Sequence, residues 1–180
     1  MSLIKLVPNV LCVFRIISAF ISVFFLIHEH KLIALIFIFL GAISDFFDGY
    51  IARKYNAISK IGALLDPLAD KIFENLVLWG VWFKNPNIIL FIVSLILTTR
   101  DTVLITGSML VLKKKVPLNP ILISKLCTSV VFIYAIMCVA LSPNLKLVSY
   151  VGILAIVLTT LTAIAYLIRY LRCRKSYGKC

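Results

Sequence analysis

Charge, and negative charge above all, is what this 180-residue sequence has least of. Charged residues make up 14% of it, whereas soluble domains carry roughly 25%. Hydrophobic residues make up 62%, and the mean hydropathy is +1.09. These proportions exclude a water-soluble enzyme, and they exclude intrinsic disorder, which requires low hydrophobicity. We therefore predict a polytopic membrane protein.

The sequence also lacks the cysteine patterns of disulfide-rich and zinc-binding proteins. Its five cysteines are an odd number and include no CxxC pair, so we expect them to be small apolar fillers within helices. A cleavable signal peptide and a mitochondrial transit peptide are not expected either, because Lys5 alone precedes the apolar run and no small-residue cleavage site follows. This favours a multi-pass protein of a bacterial inner (plasma) membrane.

Long apolar runs fill most of the chain. Each is close to the roughly 20 residues that span a bilayer as a helix, and an alternating pattern typical of a membrane barrel is absent. No linker, low-complexity tract or repeat divides the sequence. It predicts an all-α bundle of six transmembrane helices forming a single membrane domain over residues 1–180. The predicted spans are 7–27, 32–53, 62–83, 88–112, 120–141 and 145–171.

The positive charges predict the orientation of this bundle. Of the 19 lysines and arginines, sixteen fall on the side that holds both termini, and Lys31, Lys84 and Lys146 fall on the other. The positive-inside rule then places both termini in the cytoplasm. Because these cations border spans and form no continuous basic domain, nucleic-acid binding is not expected.

The acidic residues are few but clustered. Five of the seven lie between residues 45 and 74, and a carboxylate in a membrane helix must be paired, hydrated or metal-bound. Asp45 and Asp48 share one face of the second helix, and Asp66 and Asp70 one face of the third. These four can converge into an oxygen-rich pocket, which suits Mg²⁺ or Mn²⁺.

Two other interpretations of these carboxylates stay open. The Asp66-Pro67 pair is also typical of a helix start, with the aspartate as N-cap. A metal-ion transporter also carries carboxylates in its helices, although it would place them towards the middle of the membrane. Glu29 lies in an external loop, where we expect it to be solvated.

The spacing of the acidic cluster resembles the signature of the CDP-alcohol phosphatidyltransferases. Eight defined positions agree over 26 residues: Asp45-x2-Asp48-Gly49-x2-Ala52-Arg53-x8-Gly62-x3-Asp66-x3-Asp70. The start of the chain is also similar to the family's Pro-Asn-x-Leu-Thr-x-x-Arg opening, which reads here Pro8-Asn9-Val10-Leu11-Cys12-Val13-Phe14-Arg15. Cys12 stands where the family has threonine.

The resemblance implies a transferase of phospholipid biosynthesis that moves a phosphatidyl group from CDP-diacylglycerol to an alcohol and releases CMP. It implies two divalent ions, Mg²⁺ or Mn²⁺, and a homodimer in the lipid bilayer. Its implied metal ligands are Asp45, Asp48 and Asp66, together with Asp70, which is also the implied base. The implied CDP-binding residues are Asn9, Gly49, Ala52, Arg53 and Gly62.

The acceptor alcohol depends on less specific residues. Arg100-Asp101, followed by Ser124-Lys125, looks more like the cardiolipin synthases of the superfamily, whose acceptor is phosphatidylglycerol. The alternative acceptor is glycerol 3-phosphate, although the second arginine usual in the enzymes that use it is absent here. Arg100 and Lys125 are the candidate phosphate-binding residues of the acceptor site. A plain ion pair between Arg100 and Asp101 is the competing interpretation.

Overall fold

Six α-helices account for nearly all of the chain that the structure describes. The computed structural model describes residues 2–54, 62–112 and 122–177. Within helices, side chains are described for residues 10–45, 47, 68–105, 124 and 126–168, with some turns between them. The prediction of an all-α protein with six helices is confirmed. The helices are α1 (Ser2–Ile27), α2 (Lys31–Lys54), α3 (Gly62–Lys84), α4 (Ile88–Leu112), α5 (Leu122–Ala140) and α6 (Lys146–Tyr177).

The helix boundaries follow the breaks in the apolar pattern. Three segments with described side chains are long and apolar enough to cross a membrane, namely Val10–Ile27, Ile88–Ile105 and Lys146–Ile168, and α5 contains a shorter apolar stretch, Leu126–Ala140. Each keeps large apolar side chains exposed on its outer face, as a helix does when lipid solvates that face. The protein is therefore a polytopic membrane protein.

The third helix begins at Gly62, where its predicted span begins. Asp66 therefore lies in its second turn, and the alternative interpretation of Asp66-Pro67 as a helix start does not apply. Pro67 is the sixth residue of this helix, beyond the first four amides that have no intrahelical acceptor, so its missing N–H removes one backbone hydrogen bond of the helix.

The described chain divides into two compact units. One contains residues 1–86 and 135–143, and the other contains residues 87–134 and 144–180. In the first unit, α1 packs along both α2 and α3, whereas α2 and α3 contact each other only slightly. Helix α1 is thus the central element of its unit.

A stripe of small side chains on α1 allows this close packing. Cys12, Ser18, Ala19 and Ser22 are almost completely buried, and together with the buried Arg15 they follow the three- and four-residue spacing of one helix face. The hydroxyls of Ser18 and Ser22 donate to the carbonyl oxygens of Arg15 and Ala19, at 2.7 Å each. Small residues of this kind bring membrane helices into van der Waals contact where apolar burial gives no driving force.

Glycines complete the interface on the facing helices. A Cβ atom at Gly80 would lie 2.5 Å from Cγ2 and 3.2 Å from Cβ of Val23 on α1. A Cβ atom at Gly41 would collide with the ring of Phe73 and lie 2.7 Å from Oγ of Ser18. Since the branched side chain of Val23 cannot turn away as a long flexible one can, the contact at Gly80 tolerates no added carbon.

The second unit is built on the packing of α4 against α6, with the first part of α5. Gly152 of α6 lies against Ile89 and Tyr134, whose side chains would be 2.6 and 2.8 Å from a Cβ atom there. Asn87 caps α4, because its Oδ1 accepts from the backbone N–H of Ile89 at 2.9 Å. Its amide also donates to Oδ1 of Asn144 at 2.9 Å. The turns before α4 and α6 are therefore joined by a polar contact outside the apolar segments.

The turn after α1 places Glu29 in the left-handed region, with a φ of 68°. The N–H of His30 bonds to the carbonyl of Phe25 at 2.9 Å, and that of Glu29 to Leu26 at 3.2 Å, which is the Schellman arrangement that ends a helix. The Glu29 carboxylate is mostly exposed and forms an ion pair with Lys84 at the end of α3. Glu29 is therefore more than a solvated loop residue, because it ties this turn to a second helix.

We expect Gly80→Ala to lower the thermal stability of the protein in detergent, at a cost of about 1 to 3 kcal/mol, because one added carbon overpacks the contact with Val23. Val13→Ile is the matched control, since it adds one carbon to a side chain that is 52% exposed. Equal melting temperatures for the two variants would contradict the close approach of α1 and α3.

The ion pair of Glu29 predicts a pH dependence. Hydrogen bonding and the charge of Lys84 lower the pKa of Glu29 below its ordinary value of 4.5. The contribution to stability is therefore present above 4.5 and is lost as the pH falls through the lower pKa of the folded state. Lys84→Gln should return the pKa towards 4.5, measured by ¹³C NMR of labelled glutamate carboxyls, of which the chain has two. Lys31→Gln should move it less, because Lys31 contributes the smallest of the effects that lower it.

Candidate active site

The acidic cluster predicted from the sequence is organised around an arginine. Arg15 lies on the packed face of α1, between Cys12 and Ser18, and its side chain is 1% exposed. One turn of α1 separates each of these neighbours from the next, so the guanidinium points into the same interface that the small residues create. The central helix of the first unit therefore carries a buried positive charge.

Two carboxylates from different helices meet at this guanidinium. Nη2 of Arg15 lies 2.9 Å from Oδ1 of Asp45 on α2, and Nη1 of Arg15 donates a hydrogen bond to Oδ1 of Asp70 on α3. The side chains of Asp45 and Asp70 are 54% and 43% exposed. The arginine is thus enclosed by protein, while both of its carboxylate partners also face outward.

This arrangement has a clear electrostatic reason. A guanidinium stays charged in a protein, and a buried charge without a partner is strongly destabilising. Two carboxylates near each other also repel, and a cation between them offsets that repulsion. Arg15, Asp45 and Asp70 therefore stabilise one another across α1, α2 and α3.

Glu74 lies one turn beyond Asp70 on the same helix and has a separate partner. Its Oε2 is 3.9 Å from Nζ of Lys71, so it forms an i,i+3 ion pair along α3. This pair directs Glu74 towards Lys71. Glu74, the fifth acidic residue of the 45–74 window, thus has an ion-pair partner on its own helix.

The remaining predicted site residues lie at helical positions whose side chains are outside the described residues. No group of three or more histidine, cysteine or acidic side chains is found among the side chains that are described. Of the four aspartates, Asp45 and Asp70 are described and both contact Arg15, and the convergence of all four on a metal ion stays a prediction. The side chains outside the description are those of Asn9, Asp48, Gly49, Ala52, Arg53, Gly62, Asp66 and Lys125.

Comparison with known protein families shows which family this chain matches. The sequence profile of CDP-alcohol phosphatidyltransferases matches residues 5–165 of this chain, which includes all four aspartates and Arg15. The chain belongs to the CDP-alcohol phosphatidyltransferase family. The prediction of a membrane-bound phosphatidyltransferase is thereby confirmed.

Three relatives of this phosphatidyltransferase carry the same name. A protein of Aquifex aeolicus named CDP-diacylglycerol–glycerol-3-phosphate 3-phosphatidyltransferase is 34% identical over 68% of this chain and 68% of its own length. A protein of that name from Wigglesworthia glossinidia brevipalpis is 34% identical over 91% of this chain and 92% of its own. The relative from Rickettsia typhi, also so named, is 47% identical over 38% of this chain and 40% of its own.

Arg15 is the site residue of this phosphatidyltransferase that the sequence analysis missed. It was counted among the cations that orient the bundle, and it also closes the opening motif that begins at Pro8. The sequence did contain a signal. Four carboxylates in membrane helices require a compensating positive charge, and Arg15 lies within the apolar part of α1. Spacing within one helix does not reveal a partner on another, which is why this link needed the fold.

Cys12 lies on the packed face of α1, one turn before Arg15, and is 2% exposed. Its thiol is a weaker hydrogen-bond donor and acceptor than the threonine hydroxyl usual in the family at this position. The side chain is packed within the helix interface. Cys127 and Cys138 are also buried thiols. All three are therefore buried as expected, although Sγ of Cys127 also accepts hydrogen bonds from Arg100 and Thr162.

Arg100 forms the ion pair that was the alternative to an acceptor-binding role. Its Nε and Nη2 donate to Oδ1 of Asp101 at 3.0 and 2.8 Å, and both side chains are almost completely buried. Its Nη1 lies 3.2 Å from Sγ of Cys127 and 3.5 Å from Oγ1 of Thr162. This guanidinium thus connects α4, α5 and α6 in the second unit, and binding of an acceptor phosphate by Arg100 stays a prediction.

We expect Asp101→Asn to destabilise the protein by about 3 to 5 kcal/mol, because it leaves the guanidinium of Arg100 buried without its carboxylate. The double variant Arg100→Gln/Asp101→Asn should lose less than the sum of the two single variants. Thermal unfolding in detergent measures both. Strict additivity would show that the two side chains do not stabilise each other.

Proposed function

We propose that the protein transfers the phosphatidyl group of CDP-diacylglycerol to glycerol 3-phosphate and releases CMP. The observation that carries the proposal is the convergence of Asp45 and Asp70 on Arg15, within a chain whose family match extends over residues 5–165. The names of the relatives supply the donor and the acceptor.

The acceptor proposed here is glycerol 3-phosphate, whereas the sequence favoured phosphatidylglycerol. Relatives from Aquifex and Wigglesworthia are named for glycerol 3-phosphate, which supports the alternative over phosphatidylglycerol and a cardiolipin synthase. The preference for phosphatidylglycerol rests on Arg100-Asp101 followed by Ser124-Lys125, and the Arg100-Asp101 pair is buried against Cys127 and Thr162.

The described carboxylates fit a divalent cation. Asp45 and Asp70 offer hard oxygen donors on adjacent helices, they come within contact of one guanidinium, and about half of each side chain remains exposed. Asp48 and Asp66, one turn away on the same helices, would complete the set of ligands. Mg²⁺ or Mn²⁺ held there would offset the charge of the pyrophosphate and of the departing CMP.

The residues of the chain itself account for the remaining steps. Asp70 accepts the proton of the attacking hydroxyl of glycerol 3-phosphate. Its Oδ1 is held by Arg15, so the outward-facing part of the carboxylate is the part available for the proton. The hydroxyl oxygen forms a bond to the lipid phosphorus as the bond from that phosphorus to the CMP oxygen breaks. Gly49, Ala52, Arg53, Gly62 and Asn9 would hold the CDP group.

The setting of the enzyme is part of the proposal. A metal-ion transporter is disfavoured because the family match accounts for the same aspartates through phosphoryl transfer. We further propose that the protein lies in a bacterial plasma membrane as a homodimer. Its site would open to the cytoplasm, on the side of the membrane where both termini lie. These features rest on the charge bias of the loops and on family resemblance.

Purified protein should release CMP from CDP-diacylglycerol with Mg²⁺ or Mn²⁺ when glycerol 3-phosphate is added, and not with phosphatidylglycerol. Asp70→Asn should lower kcat by about 10²- to 10⁴-fold, the range over which a general base contributes. Release of labelled CMP, with the lipid product resolved by chromatography, measures both.

Glu29→Gln is the matched control, because it neutralises an exposed carboxylate in an external turn and should leave kcat unchanged. Release of CMP with phosphatidylglycerol alone would instead make the protein a cardiolipin synthase. Full activity of Asp70→Asn would remove Asp70 from the mechanism.

A further inference from the structure

We propose that Arg15 competes with the divalent cation for the carboxylates of Asp45 and Asp70, and so sets the metal affinity of the site. The proposal rests on the proposed function, because it takes these aspartates to be metal ligands. It makes Arg15 a positioning residue, which holds the two carboxylates and limits how strongly they bind metal.

The contacts of Arg15 already use the oxygens in question. One nitrogen of the guanidinium lies 2.9 Å from Oδ1 of Asp45, and the other donates to Oδ1 of Asp70. The cation and both carboxylates therefore form an ion triad across three helices. A metal ligated by either carboxylate would share it with a neighbouring positive charge, since contacts at this distance leave no room for an ion between.

The difference in exposure between the arginine and the two aspartates indicates which side chains can move when a cation arrives. Arg15 is 1% exposed, whereas Asp45 and Asp70 are 54% and 43% exposed. The guanidinium comes from the packed face of α1 and would have to pass through the interface to reach water. The carboxylates can turn outward towards an incoming cation, because part of each already faces away from the protein. Arg15 is thus a fixed charge beside a movable pair of ligands.

Two opposite effects follow from removing the charge of Arg15. Without metal, the facing carboxylates lose their counter-charge and repel, so the protein becomes less stable. With metal, the bound cation no longer meets a like charge at contact distance, so it binds more tightly. Substitution of a residue needed only for packing would lower both the stability of the protein and the metal affinity of the site. Substitution of Arg15 should lower the stability and raise the metal affinity.

The test is a titration of the purified protein with Mn²⁺ and, separately, Mg²⁺, in which the melting temperature is followed. For Arg15→Gln we expect a lower melting temperature in chelator than for the wild type. We expect the midpoint of the metal-induced stabilisation to move to about tenfold lower metal concentration, an effect reduced from the full Coulomb term because the carboxylates are half exposed. At saturating metal, the difference in melting temperature between the two proteins should narrow.

Arg15→Lys and Lys84→Gln are the companion variants. The lysine keeps the charge but contacts one carboxylate at a time, so its midpoint should lie between those of the wild type and Arg15→Gln. Lys84→Gln removes one positive charge from the same unit at the external end of α3 and should leave the midpoint unchanged. If Arg15→Gln does not fold, the midpoint of Arg15→Lys decides, and a value equal to or above that of the wild type overturns the proposal.

The remaining outcomes separate this inference from the proposed function. Absence of any metal-induced stabilisation in the wild type overturns the competition, as does an unchanged or higher midpoint for Arg15→Gln. A lowered midpoint in a protein that releases no CMP with any acceptor would support the competition and refute the proposed transfer. CMP release by the wild type together with an unchanged midpoint would do the reverse.

Discussion

The first unit of this protein depends on the compensation of one buried positive charge. Arg15 stands on the central helix of the unit, and a guanidinium in an apolar interface is tolerated only with carboxylate partners. Asp45 and Asp70 meet that requirement from α2 and α3, each of which packs more extensively against α1 than against the other. The same ion triad that secures the helices therefore also assembles the acidic site.

The second unit solves the same problem in a different way. Arg100 is paired with its own neighbour Asp101, and both side chains are almost completely buried. That pair is closed to solvent, whereas the aspartates of the Arg15 triad remain half exposed. The contrast explains how two buried arginines in one chain can have different uses. A closed pair holds helices together, and an open one leaves oxygen atoms for chemistry.

Close packing is the condition for both arrangements. The stripe from Cys12 to Ser22 on α1, with Gly41 and Gly80 facing it, brings backbones together. In a membrane, the gain from such packing is dispersion and hydrogen bonding, because lipid solvates apolar side chains as well as protein does. Bulkier residues along α1 would hold α2 and α3 apart, and Arg15 could then no longer reach both aspartates.

Much of the fold follows from the sequence, because membrane helices are specified locally. The apolar runs and the breaks between them predicted six helices, and α1 and α4 end at the residues expected, 27 and 112. The backbone of such a helix satisfies its own hydrogen bonds, so no distant residue needs to be known. The third helix likewise begins at the expected Gly62, so the alternative start at Asp66-Pro67 is not used.

The acidic site divides along the same line. Spacing placed Asp45 and Asp48 on one face of a helix and Asp66 and Asp70 on one face of another, and the motif they form identified the family. The shared faces follow from the periodicity of a helix and the cost of charge in lipid, whereas the family follows from the resemblance of the motif to a known signature and from the match over residues 5–165. The tertiary structure alone decided that Arg15 belongs with Asp45 and Asp70, whereas the ion pair of Arg100 with its neighbour Asp101 was one of two interpretations that the sequence had left open. Pairings between helices depend on which faces pack together, and a linear sequence does not state distances between residues 55 positions apart.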